Sequence, residues 1–269
     1  DNRLEAGSYL LSDDEIAMLT VVREHFKKVV LLLNVGNIID MTDINRIAPD
    51  AVLYVWQGGM TGGKGTADVL TGKVSPSGKL PDTIAYKASD YPSDANFGRE
   101  KNRDIYVEDI YVGYRYFETF AKEKVLYPFG FGLSYTEFEI KTEKAEITEG
   151  AVKLSVLVKN IGSYKGKEVI EVYCEAPQGR LGKAARVLCG FEKTRELVPQ
   201  EEQAVEIAVD IAKLASYDDS GVTGNKSCYV LEAGEYKFYV GSDVRSAEYA
   251  CSFEQGENFV TESLTQSLA

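Results

Sequence analysis

Residues 29–35, Val-Val-Leu-Leu-Leu-Asn-Val, form the apolar run that decides the fold of the first part of the chain. A continuous run of this kind is typical of a strand that is buried on both faces of a parallel sheet. A second run, Ala51–Val55, follows a segment, Asp43–Ile47, that predicts a short helix. Strand, helix and strand in this order indicate an α/β fold. Because two or three strands cannot cover both faces of such a sheet, we expect partner strands upstream of this segment.

Helices are predicted on both sides of these runs. Ser12, followed three residues later by Glu15, has the pattern of a capping box, and apolar residues then recur at helical spacing. Gly62–Leu70 predicts a further short helix that ends at Gly72. We therefore assign residues 1–85 to a partial α/β-sandwich domain with a parallel sheet.

The pattern changes after this domain. Residues 86–134 are rich in tyrosine and charged residues, and they predict a long connection that packs over other parts of the structure. Farther on, apolar and polar residues alternate, as in residues 154–158, and turn signals separate the runs. About seven short strands of this kind predict an all-β sandwich of immunoglobulin or fibronectin III type over residues 135–254. Residues 255–269 are polar and predict a tail or a linker.

The chain is acidic, with a net charge of −12 at pH 7. Nucleic-acid binding needs clustered lysine and arginine that displace counterions from phosphates, so we expect no nucleic-acid partner. The same charge opposes docking on an anionic membrane. No apolar run approaches the roughly 18 residues of a membrane span, so we expect no membrane partner either.

Metal sites and disulfides are disfavoured by the cysteines and the single histidine. Cys174, Cys189, Cys228 and Cys251 are widely spaced and form no CxxC pair, which excludes the usual Cys/His zinc pattern. His25, inside the first predicted helix, is interpreted as a surface or half-buried side chain. We expect no metal and no cofactor, and free thiols in a cytoplasmic protein are favoured over disulfides in a secreted one.

Two local features suggest chemistry and favour a structural interpretation instead. Residues 58–66 are glycine-rich and open a helix after a strand, as a phosphate-binding loop does. Gly65 occupies the position after Lys64 where a Mg²⁺-binding hydroxyl is needed, so tight packing is favoured over nucleotide binding. Glu108 and Asp109 form the most conspicuous acidic pair, but neighbouring side chains of a strand point to opposite faces, which favours a solvated structural role.

Five motifs together resemble glycoside hydrolase family 3. Gln-Gly-Gly-Met-Thr-Gly-Gly at 57–63, Ala-Asp-Val-Leu-Thr-Gly at 67–72 and Ser-Pro-Ser-Gly-Lys-Leu-Pro-Asp-Thr at 75–83 are similar to the end of that family's α/β-sandwich domain. Tyr-Val-Gly-Tyr-Arg-Tyr-Phe at 111–117 and Tyr-Pro-Phe-Gly-Phe-Gly-Leu-Ser-Tyr-Thr at 127–136 are similar to its connection into a fibronectin III-like domain. The motifs at 75–83 and 127–136 are long and therefore specific.

The resemblance implies a retaining, β-glucosidase-like hydrolase that acts on terminal β-linked sugars of small glycosides through a covalent glycosyl-enzyme intermediate. It places the nucleophile, an Asp, in a (β/α)8 barrel that no part of this chain resembles. It places the acid/base Glu in a loop whose end matches Asp1, so that Glu is expected just upstream of Asp1. We therefore expect no catalytic residue in this chain, which would be inactive alone and complete only with the missing barrel half.

The resemblance also suggests where the carbohydrate substrate would be met. The carboxyl ends of the parallel strands would face the barrel mouth, which makes Asp1, Asn34 and Trp56 the candidate substrate-binding residues. Trp56 would stack on a sugar face, with packing under the glycine loop as the alternative. A non-catalytic carbohydrate-binding or scaffold module is the competing function, and exposed coplanar aromatics on the sandwich would favour it. The order of the domains in the full protein and a homo-oligomer both remain open.

Overall fold

A computed structural model describes residues 5–97, 102–103 and 105–265 and divides the chain into two compact units. The first unit comprises Asp1–Val74, Asp82–Asp109 and Glu123–Tyr127. The second unit comprises Ser75–Pro81, Ile110–Lys122 and Pro128–Ala269. The chain therefore passes between the units several times before residue 128, whereas the domain boundaries assigned from the sequence, at residues 85 and 134, stay predictions.

Among its described residues, the first unit contains three α-helices and two two-stranded sheets. Its elements are α1 (Asp13–His25), β1 (Val30–Leu33), α2 (Thr42–Ile47), β2 (Ala51–Tyr54), α3 (Gly62–Leu70), β3 (Ile84–Ala85) and β4 (Val125–Tyr127). β1 and β2 are parallel, with Val30 opposite Ala51, and β3 and β4 are antiparallel. The predicted parallel pair with a helix between its strands is therefore confirmed.

Helix α1 begins where the sequence predicts it. The Ser12 backbone N–H donates to Glu15 Oε2 at 2.8 Å, and the Glu15 N–H donates to Ser12 Oγ at 3.3 Å, which completes the capping box. The helix ends at His25 because Phe26 is extended. His25 is exposed at this last helical position, which agrees with its interpretation as a surface histidine.

No helix in the described part of the chain is long and apolar enough to span a membrane.

The β1–β2 sheet buries one face only. Val29 and Leu33 are buried, as is Ile44 of α2. Val30 and Leu32, which alternate with them and point to the other face, are 52% and 40% exposed. The described residues therefore cover one face of this strand and not both, in agreement with the expectation that two or three strands cannot cover both faces of the sheet. Two strands and their helices supply cover for one side of the sheet, and the other side stays an open apolar surface.

The second unit is a sandwich of antiparallel strands with one α-helix among its described residues. Its elements are α4 (Tyr114–Phe120), β5 (Phe138–Ile147), β6 (Ala151–Asn160), β7 (Val169–Glu175), β8 (Val187–Lys193), β9 (Glu202–Asp210), β10 (Ser216–Asp218), β11 (Cys228–Leu231), β12 (Gly234–Gly241), β13 (Glu248–Gln255) and β14 (Phe259–Ser263). The strand orders are β13-β12-β7-β8, β5-β6-β9 and β10-β11-β14. The predicted all-β sandwich is confirmed, with more strands than the sequence pattern resolves.

The core of the sandwich follows the alternation seen in the sequence. Leu154 of β6 lies opposite Ile207 of β9, and both are buried. Alternate residues of β12 are buried as well, including Tyr236 and Phe238. The period of two therefore predicted the buried face of these strands correctly.

Strand β14 lies in the segment that the sequence predicts as a polar tail. Its residue Val260 pairs with Val230 of β11. Phe259 at its start is 56% exposed, and the strand forms the edge of its sheet. An edge strand with exposed side chains has the polar composition of a tail, which explains why the sequence analysis did not identify it.

Helix α4 shows that the tyrosine-rich connection is partly regular. The Tyr114 ring stacks on Phe129 with ring centroids 4.5 Å apart, and its hydroxyl accepts a hydrogen bond from the Leu188 N–H at 2.9 Å. The Glu118 carboxylate is buried and pairs with the Arg245 guanidinium at 2.9 Å. This part of the connection therefore packs on the strands of the second unit.

Candidate functional site

A cavity of about 380 Å³ opens at the carboxyl ends of β1 and β2. Leu32 and Asn34 line it from β1 and the residue after it, and Val55 and Trp56 line it from the end of β2. The glycine-rich turn and one side of α3, including Ala67, complete the wall. The cavity lies at the edge of the sheet where α/β folds place their ligands.

The structure brings two of the three candidate residues together. The Val55 N–H donates to the Leu33 carbonyl at 3.0 Å and extends the parallel ladder by one step, so both strands end at the same level. Asn34 and Trp56 consequently line one cavity, as their positions at the carboxyl ends of the two apolar runs predict. Asp1, the third candidate, lies outside the described residues.

Trp56 is held in an unusual backbone conformation. Its φ is 52°, in the left-handed region that a non-glycine residue adopts at an energetic cost. The indole is half-buried, and its centroid lies 4.9 Å from the Tyr54 ring at an interplanar angle of 39°. The turn thus directs a large aromatic side chain to the cavity instead of continuing the alternation of β2.

The glycine-rich turn packs too tightly for larger residues. A Cβ atom on Gly58 would lie 2.7 Å from the Gly62 Cα atom, and Gly59 has a φ of 59°. Lys64 Nζ pairs with the Asp68 carboxylate at 2.8 Å along the surface of α3. These contacts support the interpretation of the glycines as a tight turn and oppose a phosphate-binding role for Lys64.

The cavity carries groups for binding and none for acid–base chemistry. Its lining residues include an amide, a hydroxyl and an indole but no carboxylate. The described residues contain no group of three or more His, Cys, Asp or Glu side chains that could hold a metal ion. Such a surface can donate hydrogen bonds to a neutral polar ligand, accept them from it, and stack on it.

The acidic pair Glu108 and Asp109 lies in a turn, so the strand geometry assumed for it in the sequence analysis is wrong. Asp109 is exposed, with a left-handed φ of 49°. Glu108 is half-buried, and this burial raises the pKa of its carboxyl. The turn follows Ile105–Val107, whose tyrosine is 90% exposed.

The sequence analysis did not identify the buried charges of the second unit. Lys183 and Glu232 form an ion pair whose side chains are 6% and 4% exposed. The Glu232 carboxylate also accepts from the Arg180 N–H at 2.6 Å. Burial alone would raise the pKa of Glu232, but these hydrogen bonds and the Lys183 charge hold it below its usual value. The pair orders the loop between β7 and β8.

An exposed tyrosine pair on the sandwich surface bears on the carbohydrate-binding alternative. Tyr217 and Tyr229 are 41% and 37% exposed, and their ring centroids are 5.2 Å apart. Their planes are tilted by 51°, so this pair does not form the coplanar platform that the alternative requires.

The four cysteines are all free thiols, as the sequence predicts.

Comparisons with known proteins agree with the motifs. The model of the glycosyl hydrolase family 3 C-terminal domain matches residues 3–135. The model of the fibronectin type III-like domain matches residues 168–244. The two matches fall on the α/β region with its connection and on the β-sandwich.

Similar proteins cover the whole chain. A β-glucosidase of Ruminococcus albus is 62% identical over 269 residues, all of this chain and 28% of that protein. β-Glucosidase A of Butyrivibrio fibrisolvens is 44% identical over 97% of this chain and 34% of its own length. The crystal structure of a β-glucosidase from Paenibacillus barengoltzii superposes with a TM-score of 0.95 at 49% identity, covering 99% of this chain and 30% of that one. This chain thus spans about a third or less of the length of these relatives. With both domain matches and relatives this similar, the chain belongs to glycoside hydrolase family 3.

Proposed function

We propose that this chain is the accessory half of a retaining, β-glucosidase-like glycoside hydrolase that acts on terminal β-linked sugars of small glycosides. The observation that carries the proposal is the 62% identity to a β-glucosidase over all 269 residues, a segment that makes up 28% of that relative. The nucleophile Asp would lie in a (β/α)8 barrel, and the acid/base Glu would lie just before Asp1. The barrel half is the proposed partner.

The open face of the β1–β2 sheet supports a partner of this kind. Val30, Leu32 and Val52 expose 52%, 40% and 37% of their surface, although apolar strands of a parallel sheet are normally covered on both sides. Full burial of an exposed side chain of this size contributes about 1.5–3 kcal/mol, and covering the exposed part of these three contributes a fraction of that each. Packing of further elements from the rest of the enzyme on this face would supply that cover.

The cleft at the strand ends supports a substrate-facing role for Asn34 and Trp56. An asparagine amide can both donate to and accept from sugar hydroxyls. A half-buried indole offers an apolar face with little conformational entropy to lose. Because no carboxylate lines the cavity, the proposed role is positioning of the sugar, with proton transfer and nucleophilic attack left to the barrel half and to the loop before Asp1.

A complementation assay tests whether the reacting carboxylates lie outside this chain. The chain alone should not release the chromophore of an aryl β-glucoside. Mixing it with a separately expressed barrel half that carries the acid/base loop should restore hydrolysis. Hydrolysis by the chain alone would show that the reacting carboxylates lie within it and would overturn the proposal. A mixture that forms a complex but stays inactive on aryl glycosides of glucose, xylose and galactose would contradict the proposed activity.

Substitutions in the cleft test the proposed positioning role. Trp56→Ala and Asn34→Ala should each lower kcat/KM of the reconstituted enzyme by about tenfold, since each removes an interaction with the sugar. Phe26→Ala is the matched control, because Phe26 is 61% exposed and precedes β1, at the opposite end of the strand. Equal losses in all three variants would indicate impaired assembly, and no loss in Trp56→Ala would contradict a sugar contact.

A further inference from the structure

Two of the sequence motifs lie outside the cleft and pair with each other within the second unit. The Gly130 N–H donates to the Leu80 carbonyl at 2.9 Å, and the Leu80 N–H donates to the Phe131 carbonyl at 2.9 Å. We call this pairing of residues 78–81 with residues 129–132 the motif ladder. Each of its two segments belongs to a stretch at which the chain enters the second unit, at Ser75 and at Pro128.

The motif ladder lies against a row of acids at β7. Lys79 Nζ pairs with Glu168 Oε1 at 2.8 Å, and both side chains are largely buried, at 11% and 14% exposure. Gly130 has a φ of 82°, and a Cβ atom there would overlap the Glu171 carboxylate and lie 2.8 Å from the Asp243 Cα atom. The backbone of Gly130, which carries no side chain, therefore packs directly against the Glu171 carboxyl.

Glu171 is a buried carboxyl in an acidic environment. It is 5% exposed, and its Oε2 accepts a hydrogen bond from the Tyr173 hydroxyl on the same strand. The charged groups that act on it are Lys79 from the ladder, Asp243 from the loop after β12, and Glu168 before β7. Lys79, the cation among them, is already paired with Glu168. An ionised Glu171 would thus add a further negative charge beside Asp243 and Glu168, with Lys79 as the opposing charge.

Further ionisable groups lie around this site. The ring of Tyr114 of α4 is 6.3 Å from the Tyr173 ring, and the Arg115 guanidinium lies 5.9 Å from the centre of the Tyr114 ring. Lys193 of β8 interacts with Lys79 and Glu168 and donates to the Ser77 carbonyl at 3.1 Å. Burial raises the pKa of the Tyr173 phenol far above its usual range, so it stays a neutral donor to Glu171. Lys79 is the cation that lowers the pKa of Glu171 most, and the Tyr173 hydroxyl adds no charge.

We propose that Glu171 is a proton-dependent latch, which in its neutral form lets the motif ladder pack on β7 and on ionisation loosens that packing. Burial is the main cause that raises the pKa of Glu171 to about 7, the charges of Asp243 and Glu168 add to it, and the Tyr173 hydrogen bond and Lys79 act in the opposite direction.

The sign of the pH effect follows from linkage. The carboxyl of the unfolded segment titrates near its ordinary value of 4.5, whereas the packed one holds its proton up to about pH 7. Between these values the packed state binds the additional proton. Packing of the motif ladder is therefore tightest below pH 4.5. It weakens as pH rises from 4.5 to about 7, and above about pH 7 it stays at the weaker level.

Hydrogen exchange on the full chain tests the latch. The amides of Leu80 and Gly130, corrected for intrinsic exchange rates, should lose protection by about two orders of magnitude between about pH 5 and about pH 8. Glu171→Gln keeps an oxygen acceptor for Tyr173 without a titrating group, so its protection should be the same at both pH values. Glu192→Gln, an exposed glutamate on the neighbouring strand β8, should behave as the wild type does.

A fall in protection that persists unchanged in Glu171→Gln would overturn the proposal, as would wild-type protection that does not vary with pH. Should Glu171→Gln fail to fold, carboxyl ¹³C titration of the wild-type chain decides the question. One glutamate side chain should titrate at about pH 7. Titration of every glutamate at the ordinary glutamate pKa would contradict the proposal.

Discussion

Two of the sheets in the described part of the chain, β1–β2 and β5-β6-β9, bury their apolar strands to very different extents. In the β1–β2 sheet, Val30 and Leu32 are half exposed, whereas Leu154 and Val156 of the sandwich have no exposed surface. Both regions are rich in valine and leucine, so composition does not explain the contrast. The sandwich closes two sheets over one core, and the parallel pair has cover on one side only.

The contrast extends to charged groups. The closed sandwich unit buries the Lys183–Glu232 pair and the Glu118 carboxylate, each with its partners. The cavity at the end of the β1–β2 sheet is lined without any charged side chain. A closed unit can hold buried charges because it supplies the hydrogen bonds that they require. The second unit thus supplies the partners of its own buried charges, whereas the first unit leaves one apolar face uncovered.

The largest expected effect comes from breaking the buried ion pair. Lys183→Met leaves the Glu232 carboxylate buried without its cation, which should lower the free energy of unfolding by about 3–5 kcal/mol. Lys165→Met is the matched control, because the Lys165–Glu196 pair is 54% and 42% exposed and should cost at most about 1 kcal/mol. Urea unfolding followed by far-UV circular dichroism measures both. Equal losses in the two variants would contradict a special role for the buried pair.

A cavity in the sandwich core should cost nearly as much. Leu154 is fully buried between the sheets, so Leu154→Ala should lower the free energy of unfolding by about 2–5 kcal/mol. The same urea titration measures the loss. A change below about 1 kcal/mol would mean that the core collapses around the missing side chain or that the unit is packed less tightly than the structure indicates.

The parts of the fold that local patterns specify could be predicted from the sequence. The alternation around Leu154 identified the buried face of its strand because each strand of a sandwich has one covered side. Ser12 and Glu15 identified the start of α1 because a capping box involves neighbours in the chain. The apolar runs placed Asn34 and Trp56 at the ends of paired strands, which brought them into one cavity.

Features that depend on contacts between distant residues could not be predicted. Glu118 pairs with Arg245, 127 positions away, and nothing in the sequence around either residue indicates the pairing. Glu171 offered a weak signal, since it interrupts the apolar run of β7, but its burial depends on where residues 129–132 pack. Which face of β1 is left open could not be predicted for the same reason, because the cover of a strand depends on the surrounding elements.

A smaller effect, which disappears in acid, is expected from Asp218. Burial would raise the pKa of its carboxyl, but hydrogen bonds from the side chain and backbone of Thr223 and from the Gly221 N–H lower it to about 2. Its contribution is therefore present above the unfolded value of 3.8 and is lost as pH falls through about 2. Asp218→Asn should be less stable near neutral pH and lack this acid-dependent loss.

Acid titrations followed by circular dichroism measure the difference, with Asp219→Asn, the exposed neighbour, as control. If Asp218→Asn and wild type lose stability in parallel between about pH 4 and about pH 2, Asp218 does not carry the acid sensitivity of this loop.

The smallest expected effect is the truncation of Leu32 on the open face. Leu32→Ala removes a side chain that is 40% exposed, so the isolated chain should lose at most about 1 kcal/mol, far less than Leu154→Ala. The single tryptophan, Trp56, lies in the first unit and reports its unfolding through fluorescence. In the reconstituted enzyme the same substitution should weaken assembly by about tenfold if the proposed packing of the barrel half buries this leucine. A loss in the isolated chain as large as that of Leu154→Ala would mean that this face is already covered and that the contrast between the two sheets does not exist in solution.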